Sequence, residues 1–251
     1  MKWFILVLLL TGSFSISALA QTNPVTSKAD SLFTHYKMKK ALKAYNNVLV
    51  EHPDDVSALW HSSLLYSRLG HRLKKKEHKE KYYRKAKKRA EHALQIDSTS
   101  SNANFAMSVA LGRMALIVGT KQKVAAARSI KKYADLALKY DSTNDGAWNV
   151  LGRWNYEISN LNFIERMAAN TIYGGVPNGA SVKKAVKYCK KAIALDPKFI
   201  IYYRDLAEAY EELGKDKKAV QTCQQALKKP SLTPIDKKFK KECRSLIKHH
   251  Q

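Results

Sequence analysis

Two arginines, Arg153 and Arg204, are the residues of this chain best suited to hold a ligand. A guanidinium group presents a planar fork of N–H donors, which matches a peptide carboxylate or a backbone carbonyl. Asn149 precedes Arg153 by one helical turn, so both side chains would lie on the same side of a helix and contact the same ligand. The complete set of candidate partner-binding residues is Trp60, Phe105, Asn149, Arg153, Tyr156, Arg204 and Glu208.

Sequence patterns for catalysis, metal binding or cofactor binding are missing. The eight histidines form no H-E-x-x-H motif, and no G-x-S-x-G elbow is present. Gly119-Thr120-Lys121 resembles the end of a phosphate-binding loop, but it lacks the upstream glycines and the preceding strand. His249 and His250 at the tail are too few for a metal site. We therefore predict a protein that is not an enzyme and that binds no metal ion or cofactor.

A helical phrase that recurs five times in the same phase predicts the elements that position these side chains. The phrase is Ala-x3-[Tyr/Ala/Cys]-x2-[Val/Ala], followed by a helix breaker. The copies begin at Ala41, Ala86, Ile130, Ala185 and Ala219, with breakers at Pro53, Ser98, Ser142, Pro197 and Pro230; Ile130 departs in size and Pro230 comes one residue early. This is the pattern of the tetratricopeptide repeat, a two-helix unit of about 34 residues. The chain is predicted to be all-α, a right-handed superhelical solenoid of about five helix pairs with a C-terminal capping helix.

The predicted pairs cover about residues 28–53, 54–98, 99–142, 143–197 and 198–230, and the capping helix covers 234–249. The first helices are expected to line the concave surface, which carries the partner-binding candidates, and the second helices the convex surface. Trp60 and Phe105 have a second interpretation, because aromatic residues at these positions also pack between repeats. An insertion over 160–179 contains a short amphipathic stretch, Leu161–Tyr173, that either packs between repeats or folds over the concave surface.

The three cysteines are expected to be structural residues. Cys189 and Cys223 hold the same position in successive repeats. Stacked helices lie about 8–10 Å apart, whereas a disulfide requires Cα atoms within roughly 4.4–6.8 Å. Both are therefore predicted to be small buried apolar residues, and Cys243 shows no metal-ligand spacing.

Residues 1–20 are expected to be a secretory signal peptide and not part of the fold. Met1-Lys2 is a short basic start, Trp3–Leu10 is apolar, and Ala18-Leu19-Ala20 fits an A-x-A cleavage site. An uncleaved membrane anchor is the alternative, but polar residues interrupt a stretch that would need roughly 20 apolar residues. Residues 21–27 form a polar lead-in, and no later stretch reaches membrane-spanning length. Cleavage predicts export to the periplasm or cell envelope of a bacterium.

The chain has a formal net charge of +24, from 45 basic and 21 acidic residues. Basic residues concentrate in the second helices, which places them on the predicted convex surface. We call the densest group the basic face: Lys74, Lys75, Lys76, Arg84, Lys87, Lys88 and Arg89. Phosphate attraction makes nucleic acid a general partner for such a surface, but the export signal and the missing nucleic-acid motifs argue against it. Anionic lipid or envelope polysaccharide is the better candidate, and a solvated lysine-rich surface without a ligand is the alternative.

One stretch goes beyond the general repeat, namely Leu151-Gly152-Arg153-Trp154 followed by Asn162–Ala168. It resembles the regulator of microtubule dynamics family, tetratricopeptide-like proteins with this phrase and an inserted helix before the next alanine-rich helix. The similarity covers about residues 144–248 well and the earlier repeats more loosely. Eukaryotic members are linked to microtubules and to membrane contact sites, whereas an exported bacterial protein meets no microtubules. The resemblance therefore implies the fold and not the partner.

These observations predict a non-enzymatic interaction scaffold of the cell envelope that binds a peptide or protein segment on its concave surface. The alternative is an electrostatic binder of an anionic membrane surface or envelope polysaccharide through the basic face. Salt separates the two, because exposed charges are screened over about 8–10 Å at physiological ionic strength.

Overall fold

The structure is a computed structural model that describes residues 24–161, 166–167 and 179–250. The predicted signal peptide over 1–20, the first residues of the lead-in and most of the 160–179 insertion lie outside these ranges. Within them the chain forms eleven α-helices and no β-strand, which confirms the all-α prediction. No helix in this part of the chain is both long and apolar enough to cross a membrane.

Five helix pairs and a terminal helix follow one another, as the repeat predicts. Their bounds are α1 Pro24–Thr34, α2 Met38–Glu51, α3 Val56–His71, α4 Lys76–Ile96, α5 Ser101–Ala115, α6 Thr120–Tyr140, α7 Asp145–Ser159, α8 Val182–Leu195, α9 Ile200–Glu212, α10 Asp216–Lys228 and α11 Asp236–His249. The first helix of each pair and the terminal helix begin two to four residues from the predicted bounds, and the first and last of these shifts have a structural cause. Helix α1 begins inside the expected lead-in, because Pro24 suits a first helical turn. Helix α11 begins at Asp236, after a turn that the hydrogen bond from Thr233 N–H to the Asp236 carboxylate, 2.7 Å, holds in place.

Three of the first helices begin with the same capping bond. The Asp55 carboxylate accepts a hydrogen bond from the N–H of Ala58 at 2.7 Å. Ser100 and Asn144 make the equivalent bond at the starts of α5 and α7. Each bond satisfies a backbone donor that the first helical turn leaves without a partner. The cap therefore fixes the helix start, and with it the phase of the residues that point inward.

Buried alanines allow the two helices of each pair to approach closely. The repeated phrase contributes Ala41, Ala86, Ala90, Ala93, Ala134, Ala137, Ala185, Ala192, Ala219 and Ala226, all fully buried. One close approach is at Gly152 of α7, where a Cβ atom would lie 2.6 Å from Cys189 Sγ on α8. All three cysteines are buried and free of disulfide bonds, as the sequence analysis expected for Cys189 and Cys223.

The first helices pack side by side in chain order, α3 on α5, α5 on α7 and α7 on α9. They form an inner layer, and their partners α4, α6, α8 and α10 form an outer layer, while α11 covers α9 and α10. The turn between α1 and α2 reaches the start of α9, where the Tyr36 and Phe199 rings meet edge-on with centroids 6.4 Å apart. The solenoid therefore curls until its first and fifth pairs touch, which narrows the concave groove.

Candidate functional site

Four of the sequence-predicted residues lie together where α7 packs against α9. Asn149 and Arg153 come from α7, and Arg204 and Glu208 come from α9. The carboxylate of Asp205, a residue that is 4% exposed, accepts a hydrogen bond from Asn149 Nδ2 at 2.9 Å and lies 3.2 Å from Arg204 Nη2. Glu208 accepts hydrogen bonds from Arg153 and from Arg204, the latter at 3.0 Å. We call these five residues the Arg153–Arg204 cluster.

The two arginines of this cluster are neutralised within the chain. Burial alone lowers the pKa of Arg153, but three nearby carboxylates, Asp205 above all, outweigh it, so the net shift is upward. The pKa of Arg204 rises for the same reason. Glu157 also lies 2.5 Å from Arg153 Nη2. A ligand carboxylate would compete with these groups. The cluster joins the fourth and fifth helix pairs, and ligand binding by its arginines stays a prediction.

The predicted aromatic residues occupy packing positions, and each ring remains partly exposed. Trp60 on α3 meets the edge of Phe33 on α1, with ring centroids 6.3 Å apart. Phe105 on α5 fills the space beside Gly146 on α7, where a Cβ atom would overlap the ring. Trp60 and Phe105 thus pack between neighbouring repeats, the second of their two interpretations. Tyr156 lies under a guanidinium of the Arg153–Arg204 cluster, 5.0 Å from its central carbon to the ring centroid.

Sequence reasoning missed two further arginines of the inner layer. Arg68 on α3 and Arg113 on α5 lie one helical turn beyond Leu64 and Val109, along the same inward stripe. Both side chains are half-buried, and burial is the main cause that lowers the pKa of each. Among the residues that the structure describes, neither guanidinium has a carboxylate at ion-pair distance. We call them the arginine pair. Continuing the four-residue spacing of the predicted inward positions by one more helical turn would have identified both arginines.

Aromatic and cationic groups surround the arginine pair. Arg68 Cζ lies 5.5 Å from the centre of the Phe33 ring. Tyr36 and Tyr202 are close enough for the charge of Arg68 to act on them, although burial dominates and raises the pKa of both. Burial is the main cause that lowers the pKa of His71 to about 4, and the positive charge of Arg113 is the next largest cause. Asp145 and Asp236 act electrostatically on Arg68, and Asp205 acts on Arg113, but none of the three forms an ion pair with them. This part of the groove therefore combines apolar rings with positive charge that has no direct carboxylate partner among the described residues.

The basic face lies in the outer layer, on α4 and the connection before it. Its exposed members are Lys74, Lys75, Lys76, Arg84 and Lys88, and its half-buried members are Lys87 and Arg89. Two of them form ion pairs within α4: Arg84 with Glu80 at 2.6 Å and Lys87 with Glu91 at 2.8 Å. Such exposed pairs leave the side chains accessible and contribute little stability. The structure therefore keeps this surface strongly positive.

Comparison with known proteins agrees with this fold. The structure is similar to that of a tetratricopeptide repeat protein from Thermus thermophilus, with a TM-score of 0.62 and 16% sequence identity. The match covers 88% of this chain and 95% of that one. The structure is also similar to that of a tetratricopeptide repeat protein from Parabacteroides merdae, with a TM-score of 0.54, 13% identity, and coverage of 88% and 70%. At these identities the similarity shows the fold alone.

Curated relatives and a family profile identify the protein family. Regulator of microtubule dynamics protein 3 of Bos taurus is 30% identical over 205 residues, which cover 80% of this chain and 42% of the bovine protein. Regulator of microtubule dynamics protein 2 of Homo sapiens is 25% identical over 195 residues, 77% of this chain and 47% of the human protein. The chain thus spans less than half the length of either relative. The profile of regulator of microtubule dynamics proteins 1–3 matches residues 25–251, and this chain belongs to that family.

Proposed function

We propose that the chain is a non-enzymatic interaction scaffold whose concave groove binds an acidic segment of a partner protein. The tetratricopeptide-like fold supports an interaction role. The observation that carries the proposal is the arginine pair: its half-buried guanidinium groups have no carboxylate at ion-pair distance in the described part of the chain, and Asp145 and Asp236 act on Arg68, and Asp205 on Arg113, only from farther away. A buried charge without a partner is costly, so an incoming carboxylate would stabilise this site more than an exposed one.

The surroundings define the ligand further. Each guanidinium can hold a carboxylate through two parallel hydrogen bonds. Phe33 and the touching rings of Tyr36 and Phe199 offer apolar surface beside the charge. The ligand is therefore an acidic segment that also carries apolar side chains. The Arg153–Arg204 cluster, already balanced by its own carboxylates, would form the weaker end of the same groove.

Fluorescence anisotropy tests this proposal with two labelled peptides of equal length, one of alternating Glu and Leu and one of alternating Lys and Leu. We expect the acidic peptide alone to bind residues 21–251 at physiological salt. Arg68→Gln and Arg113→Gln should each weaken it at least tenfold, and Arg153→Gln should weaken it less. Arg84→Gln on the outer layer is the matched control and should leave the affinity unchanged. If all four variants bind the acidic peptide with the same affinity, the groove is excluded as its binding site.

A second candidate function is electrostatic binding of an anionic membrane surface or envelope polysaccharide through the basic face. Three consecutive exposed lysines where α4 begins, Lys74, Lys75 and Lys76, support it. The first acidic residue after them is Glu77. Co-sedimentation with vesicles of anionic lipid, and with an acidic polysaccharide, measures this binding. We expect binding at low salt that collapses at physiological salt and in the triple Lys→Gln variant. Salt-insensitive binding would exclude it.

The location we propose is the cell envelope of a bacterium, on the basis of the sequence of residues 1–20. The names of the relatives refer to microtubule dynamics, and an exported scaffold would act elsewhere. Fractionation of bacterial cells that express the full chain, with mass spectrometry of the N-terminus, tests this. A mature protein that starts at Gln21 in the envelope fraction supports export. A full-length protein in the cytosol would contradict it.

A further inference from the structure

The end of α9 and the end of α11 bring two histidines and a glutamate together. Glu211, His249 and His250 each offer one ligand atom, and these atoms all lie within 4.8 Å of one another. His250 Nε2 is 2.8 Å from Glu211 Oε1, and His250 Nδ1 is 3.7 Å from Asp216 Oδ2. The sequence analysis found two adjacent histidines too few for a metal site. The fold supplies the third group from another helix.

We propose that Glu211, His249 and His250 bind a divalent transition-metal ion of the zinc type. Two imidazoles and a carboxylate are ligands that Zn²⁺ accepts, with a fourth position left to water. In a tetrahedral site the ligand atoms lie about 3.4 Å apart. His250 Nε2 and Glu211 Oε1, now 2.8 Å apart, must therefore separate slightly, and ligand atoms near the 4.8 Å limit must approach by about 1 Å. The His249 side chain is exposed and can rotate. His250 lies just past the regular helix, with φ −108° and ψ 12°, and its N–H donates only a long hydrogen bond, 3.3 Å, to the Ile247 carbonyl.

Carboxylates beside the two histidines can offset part of the overall charge of +24. Asp205 and Glu208 of α9 pair with arginines, which leaves Glu211 and Glu212 at the end of that helix and Asp216 on the next one. Helix α11 carries six basic residues against two acidic ones, so the three carboxylates near His250 are what a cation would meet. Asp216 stands on the far side of His250, with Oδ2 3.7 Å from Nδ1; a small approach would let it accept a hydrogen bond from Nδ1–H and direct Nε2 toward the ion. A cavity of about 340 Å³, lined by Glu211 and His249 among others, borders the cluster and leaves room for water on the metal.

Metal binding at this position would link the capping helix α11 to the last repeat. Glu211 belongs to α9, whereas His249 ends α11 and His250 follows it. The ion would replace the contact that His250 and Glu211 now make directly. An ion that binds the folded chain and not the unfolded one stabilises it by mass action. The melting temperature should therefore rise with zinc concentration.

Isothermal titration calorimetry and thermal melting test the proposal on residues 21–251 prepared without a histidine tag and freed of metal by a chelator. With ZnSO₄ as the probe, we expect one ion per chain and a higher melting temperature. His250→Ala and Glu211→Gln should each weaken binding at least tenfold. His92→Ala is the matched control, because His92 Nε2 pairs with Asp54 at 2.7 Å but has no third ligand nearby in the described residues. Circular dichroism verifies that each variant is folded.

The buried thiols Cys223 and Cys243 are the competing ligands, because both line the same cavity. The double substitution of both cysteines by alanine should leave zinc binding unchanged. Co²⁺ in place of Zn²⁺ should give no thiolate-to-cobalt charge-transfer band. The absence of zinc binding, equal binding by His250→Ala, or loss of binding in the cysteine variant would each overturn the proposal.

Discussion

Replacing Gly152 by alanine tests how closely α7 and α8 approach. A Cβ atom at this position would lie 2.6 Å from Cys189 Sγ and 3.3 Å from the Cys189 backbone nitrogen. Ordinary contacts between such atoms are about 3.5–4.0 Å. The backbone of α8 cannot rotate away as a flexible side chain would, so the two helices must separate.

The expected magnitude follows from two opposing effects. Alanine favours a helix interior over glycine by about 1 kcal/mol, whereas overpacking a buried contact costs about 1–3 kcal/mol. We expect Gly152→Ala to lower the free energy of unfolding by about 1 kcal/mol in balance. Gly112→Ala on α5 is the matched control, because nothing lies within 4 Å of its added Cβ. That variant should be stabilised by about 0.5–1 kcal/mol.

Urea unfolding followed by circular dichroism measures both variants, and thermal melting gives a second readout, since 1 kcal/mol corresponds to about 2–4 °C at this size. Adding Cys189→Ala to Gly152→Ala removes the sulfur atom and should recover part of the lost stability relative to Cys189→Ala alone. If Gly152→Ala stabilises the chain as much as Gly112→Ala does, the close approach of α7 and α8 is wrong.

Three further predictions concern buried groups. Burial lowers the pKa of His61 to about 4, so the unfolded chain takes up the proton first and the free energy of unfolding falls by about 3 kcal/mol between pH 6.5 and pH 4. The difference from His61→Gln in urea unfolding at several pH values measures this, and a constant difference would contradict it. Asp205→Ala leaves two arginines without their buried partner and should cost about 3–5 kcal/mol. Asp135→Ala removes an exposed ion pair and should lower the free energy of unfolding by under about 0.5 kcal/mol. Equal losses of stability in the two variants would contradict the difference between buried and exposed pairs. Burial raises the pKa of Cys189, so an aromatic disulfide reagent should modify it only when the chain unfolds, and rapid native reaction would refute its burial.

The repeat phrase predicted most of the fold because it encodes local physics. Small residues mark where helices touch, and breakers mark where they end, so the pairs follow from the pattern. The same phase correctly grouped Asn149, Arg153, Arg204 and Glu208, because residues at equal positions in successive first helices lie side by side. Periodicity along one helix and stacking between equivalent helices suffice for that grouping.

Charge pairing could not be predicted in the same way. Arg153 looked available for a ligand, but Asp205 reaches it from the next repeat, one position away from the inward stripe. Glu211 meets His250 only because α11 folds back on α9. Contacts of this kind depend on the angle between helices that are distant in the chain. A sequence pattern gives the face of a residue, and it does not give the side chain that lies opposite.

The inward stripe also gives the proposed groove a direction. Its last-turn position is Arg68 on α3 and Arg113 on α5, but Glu157 on α7 and Glu212 on α9. The first half of the groove therefore offers positive charge without carboxylate partners in the described residues, whereas the second half offers carboxylates beside arginines that they already neutralise. The proposed acidic segment would be attracted strongly at the first end and held only weakly at the second. The solenoid is tightly curled, with Tyr36 against Phe199, so the two halves of the groove lie close together. A short bound segment would therefore meet the difference in charge between them. Charge placement alone would then set the orientation of the proposed partner, without sequence-specific pockets.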